Sequence, residues 1–159
     1  MAEMQKKIEL LQKIAHRFNE ANVEWALGAS MLLYFKGIIS EAHDIDLLVS
    51  ICDAELVREI LSEMGELHLA DLLPDPMYRT KVFMEFTIDS VDIDVMAGFS
   101  IVSEGKVYDC SLEKEQIEER MTLGTEIVPL QSLCLWCKYY RLMGRNKKAD
   151  MIESNCKKI

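Results

Sequence analysis

With 159 residues, half of them hydrophobic and 28% charged, the chain has the balance of a single globular domain over 1–159 with a real core, which excludes a disordered segment. Its formal charge of −9 argues against gripping extended nucleic-acid backbone. Apolar runs such as Met31 to Phe35 are far too short to cross a bilayer, and five cysteines in odd number fit a reducing compartment, so a cytoplasmic protein without membrane association is expected.

Ile8, Leu11, Ala15 and Phe18 recur at helical spacing, which predicts an amphipathic helix over the first twenty residues, ended near Asn19 and Asn22. Val23 to Leu27 is β-prone and delivers the chain to a Gly28-Ala29-Ser30 turn, after which Ser30 to Phe35 reads as a buried helix closing at Gly37. A strand follows over Asp44 to Ser50. Asp53 is the expected N-cap of a helix running to Met64, with Gly65 as its stop. Pro74 and Pro76 mark a loop, and Lys81 to Ile88 with Val91 to Ala97 predict a hairpin turned at Asp89-Ser90. Phe99 to Val102 and Lys106 to Tyr108 flank a Ser-Glu-Gly turn as a second short pair. Ser111, Lys114 and Glu115 open a short charged helix to about Arg120, Pro129 starts a longer helix through Met143, and a last helix covers about Lys147 to Cys156. This order predicts an α+β domain: one mixed sheet covered by helices, with a helical tail over about 129–157.

Asp44 and Asp46 stand one residue apart in an apolar run, so on a strand both carboxylates leave the same face. A third carboxylate from Asp94, or else Asp92, on a neighbouring strand would complete an all-oxygen set for magnesium ions, with nucleotide phosphates filling the remaining positions. An Asp-x-Asp strand or a Gly-x-Ser turn alone is commonplace; their joint order points to phosphoryl transfer. The charge is unevenly spread: from Pro129 onward seven basic residues (Lys138, Arg141, Arg145, Lys147, Lys148, Lys157, Lys158) face two acidic ones, a local +5 against −14 for the rest. A solvated helix face is the simple reading, a phosphate-facing helix the sharper one. Cys134 and Cys137 form a Cys-x-x-Cys pair, but neither further zinc ligands at matching spacing nor a preceding strand accompanies them, so they read as helix-packing thiols.

The Gly28-Ala29-Ser30 turn, the Asp44/Asp46 strand and the late Asp94 together resemble the nucleotidyltransferase superfamily of polymerase-β-like fold. Among its small bacterial members the chain looks most like lincosamide-type antibiotic nucleotidyltransferases and minimal antitoxin nucleotidyltransferases. The resemblance covers about 23–99, with weaker support from Lys138 and from Gly144-Arg145-Asn146-Lys147-Lys148-Ala149-Asp150, which is similar to a Lys and Gly-Arg-x-Lys-Asp pattern closing many small members.

The resemblance implies a magnesium-dependent enzyme that moves a nucleoside monophosphate from an NTP to a hydroxyl of a small molecule or macromolecular partner. Asp44, Asp46 and Asp94 would be catalytic and hold two magnesium ions. Gly28, Ala29, Ser30 and Lys138 would bind the nucleotide, with Lys138 pointing to the cleft beside Arg141 or Arg145. The sequence departs from the pattern at Ala29, where many members have glycine, and around Ser40 and Ala42, where many have Arg and Thr. Those departures keep open a catalytically weakened nucleotide- or partner-binding module, antitoxin-like, on the same fold. A metal-dependent glycosyltransferase also uses Asp-x-Asp, but the upstream turn, the third carboxylate and the short chain weigh against it.

Overall fold

The computed structural model describes residues 2–69 and 75–156; Pro74 of the anticipated loop and Lys157 and Lys158 of the basic tail lie outside the described residues. Helix α1 (Ala2–Glu20) buries Met4, Leu10, Leu11, Ile14, Ala15 and Phe18 along one stripe, the stripe its apolar spacing predicts. Next come β1 (Trp25–Gly28), α2 (Ala29–Phe35), β2 (Ile45–Val49), a 3-10 turn at Ile51–Asp53 and α3 (Ala54–Met64). After β3 (Glu66–Leu67), the strands β4 (Val82–Ile88) and β5 (Val91–Ala97) form the expected hairpin. Its two turn residues, Asp89 and Ser90, both have positive φ, 51° and 66°, the backbone of a tight turn that matches strand twist. The short pair β6 (Ser100–Ser103) and β7 (Lys106–Asp109) stands apart as its own two-stranded sheet. A second 3-10 turn (Lys114–Gln116), β8 (Ile117–Leu123), β9 (Glu126–Gln131), α4 (Leu133–Leu142) and α5 (Asn146–Cys156) complete the chain.

The main sheet has seven strands in the order β3-β4-β5-β2-β1-β9-β8. It is mixed: β2 runs parallel to β5 and β1 parallel to β9, while the other neighbours are antiparallel. Register separates its two faces. Trp25 pairs with Val49 and Leu27 with Leu47; Ile45 and Leu47 pair with Ile93 and Val95, and these with Phe86 and Met84. That face is apolar throughout and meets α1, where Trp25 packs edge-on against Phe18 at 5.4 Å between ring centroids. On the opposite face the same register places Gly28, Asp46, Asp94 and Glu85 in one row.

Two stretches differ from the sequence-based expectation. Ile117–Leu123 is a strand, not part of a charged helix; Met121 and Leu123 share its less exposed face, a register shift between Ile117 and Glu119 interrupts the alternation, and Gly124, with φ +65°, turns the strand into β9. Pro129 then lies inside β9 opposite Arg120, and α4 begins only at Leu133, where the Ser132 hydroxyl accepts the Leu135 N–H at 3.3 Å. Proline marks helix starts and strand interruptions alike, and here the hairpin partner β8 decides for the strand. Asp53 precedes α3 as expected but does not cap it. Its carboxylate accepts the Glu24 N–H at 2.8 Å and the Ser50 hydroxyl at 2.9 Å, tying the start of β1 to the end of β2.

Gly65 ends α3 for a reason other than backbone freedom. Its φ of −166° is open to any residue, but a Cβ there would sit 2.5 Å from the Thr87 carbonyl oxygen and 2.4 Å from Ile88 Cγ1. The absent side chain is what lets α3 hand the chain to β3 against β4. Gly65→Ala is therefore expected to destabilise the fold by about 1–3 kcal/mol, as overpacking against backbone does, measured by chemical denaturation; wild-type stability would show that this contact yields.

Candidate active site

The row Gly28, Asp46, Asp94, Glu85 organises a cleft of about 600 Å³ on the polar face of the sheet. Asp46 and Asp94 are direct register partners on the parallel strands β2 and β5, so their side chains leave the sheet together and hydrogen-bond to one another. The sequence placed Asp44 within the strand, but it sits one residue before β2, in a bend; it still lines the cleft beside the pair. The Ser30 hydroxyl donates to the Asp44 carbonyl oxygen at 3.3 Å, linking the Gly28-Ala29-Ser30 turn to the segment that delivers the carboxylates. Asp92, the other candidate on β5, is exposed and accepts the Thr87 hydroxyl at 3.1 Å at the far end of the hairpin.

Electrostatics mark this pair out. Burial raises the Asp46 carboxyl well above the ordinary range, and the charges of Asp94 and Asp44 push the same way. Asp94 is pushed up to about 6, by burial first and then by Asp44 and Glu85, with its hydrogen bond to Asp46 pulling back. Neither carboxylate has a salt-bridge partner among the described residues. Nor, among those residues, are three His, Cys, Asp or Glu side chains already drawn into a closed metal cage. The donor chemistry nonetheless suits a hard divalent cation: an all-carboxylate set, partly desolvated, whose mutual repulsion a cation would relieve. Glu85 is the member that sequence reasoning missed. Its signal was a lone charge in the alternating run Phe83, Met84, Glu85, Phe86, but only the strand register shows that it neighbours Asp94.

The opposite wall comes from the C-terminal hairpin of helices. Lys148 of α5 stands over the Tyr140 ring, 5.3 Å from its centroid, and Arg145 in the α4–α5 connection also lines the cleft. Burial lowers the Lys148 ammonium, Arg145 lowers it further, and Asp46 opposes both. Lys138, the expected nucleotide contact, is exposed on α4 and does not line the cleft. Trp136 and Tyr140 face the cleft from that helix, and a residue two positions after Trp136 is rotated by about 200°, so Lys138 points away. Arg141 is also committed elsewhere, to Asp150 at 2.7 Å and Glu153 at 2.9 Å.

Gly28 has a steric role at the floor of the site. A Cβ on it would lie 2.6 Å from the Trp136 ring, which is held by its Nε1–H donating to Gln131 Oε1 at 2.7 Å. Trp136 stacks on Phe99 with ring centroids 6.1 Å apart and planes 21° from parallel, building an aromatic wall that Tyr78 and Tyr140 extend. The Tyr140 hydroxyl is buried and without a hydrogen-bond partner among the described residues. Ala29, next in the turn, has φ +51°, a left-handed backbone that costs a residue with a Cβ roughly 1 kcal/mol.

No curated protein matches the chain in sequence. A family model described as far upstream element-binding protein, C-terminal, matches residues 135–158, confined to the helical tail and short of half the chain. Solved structures are similar over nearly the whole length. A candidate nucleotidyltransferase from Thermotoga maritima superposes with a TM-score of 0.73 at 20% identity, covering 98% of this chain and 95% of that one. The antibiotic-resistance factor ANT(2'')-Ia, in complex with adenylyl-2''-tobramycin, gives 0.63 at 11% identity over 95% and 90%. The lincosamide antibiotic adenylyltransferase LnuA, with lincomycin bound, gives 0.60 at 16% identity over 91% and 94%. Strand order, cleft and superposition agree that this α+β domain has the nucleotidyltransferase-like fold.

Proposed function

We propose that the chain is a magnesium-dependent nucleotidyltransferase that moves a nucleoside monophosphate from an NTP to a hydroxyl of a small molecule or a macromolecular partner. The observation that carries this reading is the pairing of Asp46 with Asp94 across β2 and β5, with Lys148 and Arg145 on the facing wall of the same cleft. Asp44, Asp46 and Asp94 are the residues that would hold one or two magnesium ions. When bound, such ions neutralise phosphate charge and lower the pKa of an attacking hydroxyl.

The remaining work falls to side chains already in place. Lys148 and Arg145 meet the triphosphate as cations; Lys148 is partly buried, where charge pairing is stronger than in open water, and Arg145 is exposed at the rim. The turn at Gly28, Ala29 and Ser30 opens α2 beside the same anion. The acceptor oxygen attacks the α-phosphorus, the bond from that phosphorus to the oxygen bridging to the β-phosphate breaks, and pyrophosphate leaves. Asp94, beside Asp46 on the cleft face of the sheet, takes the hydroxyl proton. The small-molecule acceptors of ANT(2'')-Ia and LnuA support a hydroxylated small molecule here. Ala29 bears on the rival reading of a decayed nucleotide- or partner-binding module: its left-handed backbone keeps the geometry that glycine would supply, which favours the active enzyme. The deciding experiment screens NTPs with magnesium against hydroxylated acceptors and reads pyrophosphate release; a folded protein that binds nucleotide but releases no pyrophosphate with any NTP and acceptor would leave the binding module.

The paired carboxylates make stability and activity separable. Both pKa shifts are upward, so the folded chain retains protons that the unfolded chain has released. The associated stability is intact below about pH 4, the ordinary carboxylate value, and is lost as pH rises through about 6. Metal-free protein should therefore show a falling thermal midpoint from pH 5 to pH 8. Asp46→Asn should flatten that slope and match or exceed wild-type stability at pH 8, while turnover falls by at least about a hundredfold. A variant that melts well below wild type at pH 8, or one that retains turnover, would contradict the assignment.

Lys148 and Lys138 give a second comparison. Lys148→Ala is expected to weaken NTP binding about five- to tenfold by calorimetry with magnesium present, the loss of one partly desolvated charge pair. Lys138→Ala should leave affinity unchanged. The reverse order of effects would return the nucleotide to the other face of α4.

A further inference from the structure

Three of the five cysteines gather where α4 and α5 pack as an antiparallel pair, away from the cleft. The register of that pair can be followed from the connection outward. Arg141 of α4 reaches Asp150 and Glu153 of α5 at 2.7 and 2.9 Å. One turn back on α4, the Cys137 thiol donates to the Ala149 carbonyl oxygen at 3.5 Å. A further turn back is Cys134, and the residue of α5 that falls opposite it is Cys156, one turn beyond Glu153. Cys134 and Cys156 are thereby neighbours across the helix pair, and both residues are exposed. Cys137 is half-buried with its thiol engaged, Cys110 is buried, and Cys52 lies at the distant 3-10 turn before α3.

We propose that Cys134 and Cys156 form a modification site, a thiol pair that a peroxide oxidises to an intrachain disulfide closing α4 onto the end of α5. The chemistry balances with hydrogen peroxide as oxidant. One thiol attacks the O–O bond to become a sulfenic acid and releases one water; the other thiol attacks that sulfur, forming the S–S bond and releasing a second water. Two thiols lose two electrons and two protons, and one peroxide becomes two waters. The spacing favours this pair over Cys134 with Cys137, because Cys137 shares a helix with Cys134 and its thiol points to the Ala149 carbonyl.

The bond would close a ring of chain that includes Tyr140, Arg145 and Lys148, so oxidation would pin the helical hairpin that forms the cationic wall of the cleft. Neither cysteine lines the cleft, and the proposal stands independently of phosphoryl transfer.

The test treats the full chain with hydrogen peroxide, digests it without reduction and identifies linked peptides by mass spectrometry. The expected product is a monomer whose chief cross-link joins Cys134 to Cys156. The link should be reversed by dithiothreitol, retained in Cys137→Ser and lost in Cys156→Ser. Amide hydrogen exchange in α5 should slow at least severalfold on oxidation. A Cys134–Cys137 link, a dimer joined through Cys52, or thiols that over-oxidise without linking would overturn the proposal, as would exchange in α5 unchanged by a formed bond.

Discussion

Two carboxylates forced side by side on parallel strands are the constraint around which this domain is arranged. The β2–β5 register that aligns Asp46 with Asp94 also aligns Ile45 with Ile93 and Leu47 with Val95 on the reverse face. Sliding one strand by a single residue would separate the acids, but it would also turn a buried apolar row outward. The repulsion at the site is thus held in place by hydrophobic burial against α1 on the other side of the sheet, a few ångströms away. The candidate site and the apolar packing draw on opposite faces of the same strands.

The C-terminal helices give that polar face its depth. The face would be an open surface if α4 did not set Trp136 over Gly28 and if the α4–α5 turn did not bring Arg145 and Lys148 across from the acids. Trp136 is itself fixed through Gln131, which is fully buried, and Gln131 in turn donates to Gln116 at 3.0 Å. A polar chain running from the second 3-10 turn through β9 therefore sets the position of an aromatic wall in the cleft. The strand β9 has a part in this that its place near the sheet edge does not suggest: its last residue, Gln131, anchors Trp136 just before α4 begins.

How much of this was legible in the sequence depended on whether the signal was local. The Asp44-Ile45-Asp46 spacing, the Asp89-Ser90 hairpin turn and the apolar stripe of α1 are each encoded within a few residues, and each element was found within a residue or two of its place. Glu85 was not found, because nothing along the chain says which residue of β4 will stand beside Asp94. Lys138 illustrates the converse: an odd charge in an apolar helix is visible in sequence, but the direction it faces depends on where Trp136 and Tyr140 find their partners. Pro129, read as the start of a helix, lies inside β9 instead, because its partner Arg120 on β8 holds that stretch in a hairpin. Long-range register, helix rotation and strand partnership are properties of the assembled sheet.

Ala29 carries one more implication. A glycine in that turn would reach the left-handed conformation without strain, but would also sample many others. With a methyl group in its place, the unfavourable angle is settled once, during folding, by the packing of β1 and α2, and the amides of the turn thereafter hold their orientation. The departure from glycine thus trades a small loss of folding free energy for a turn with fewer conformations to lose, and any association there would carry a smaller entropic penalty.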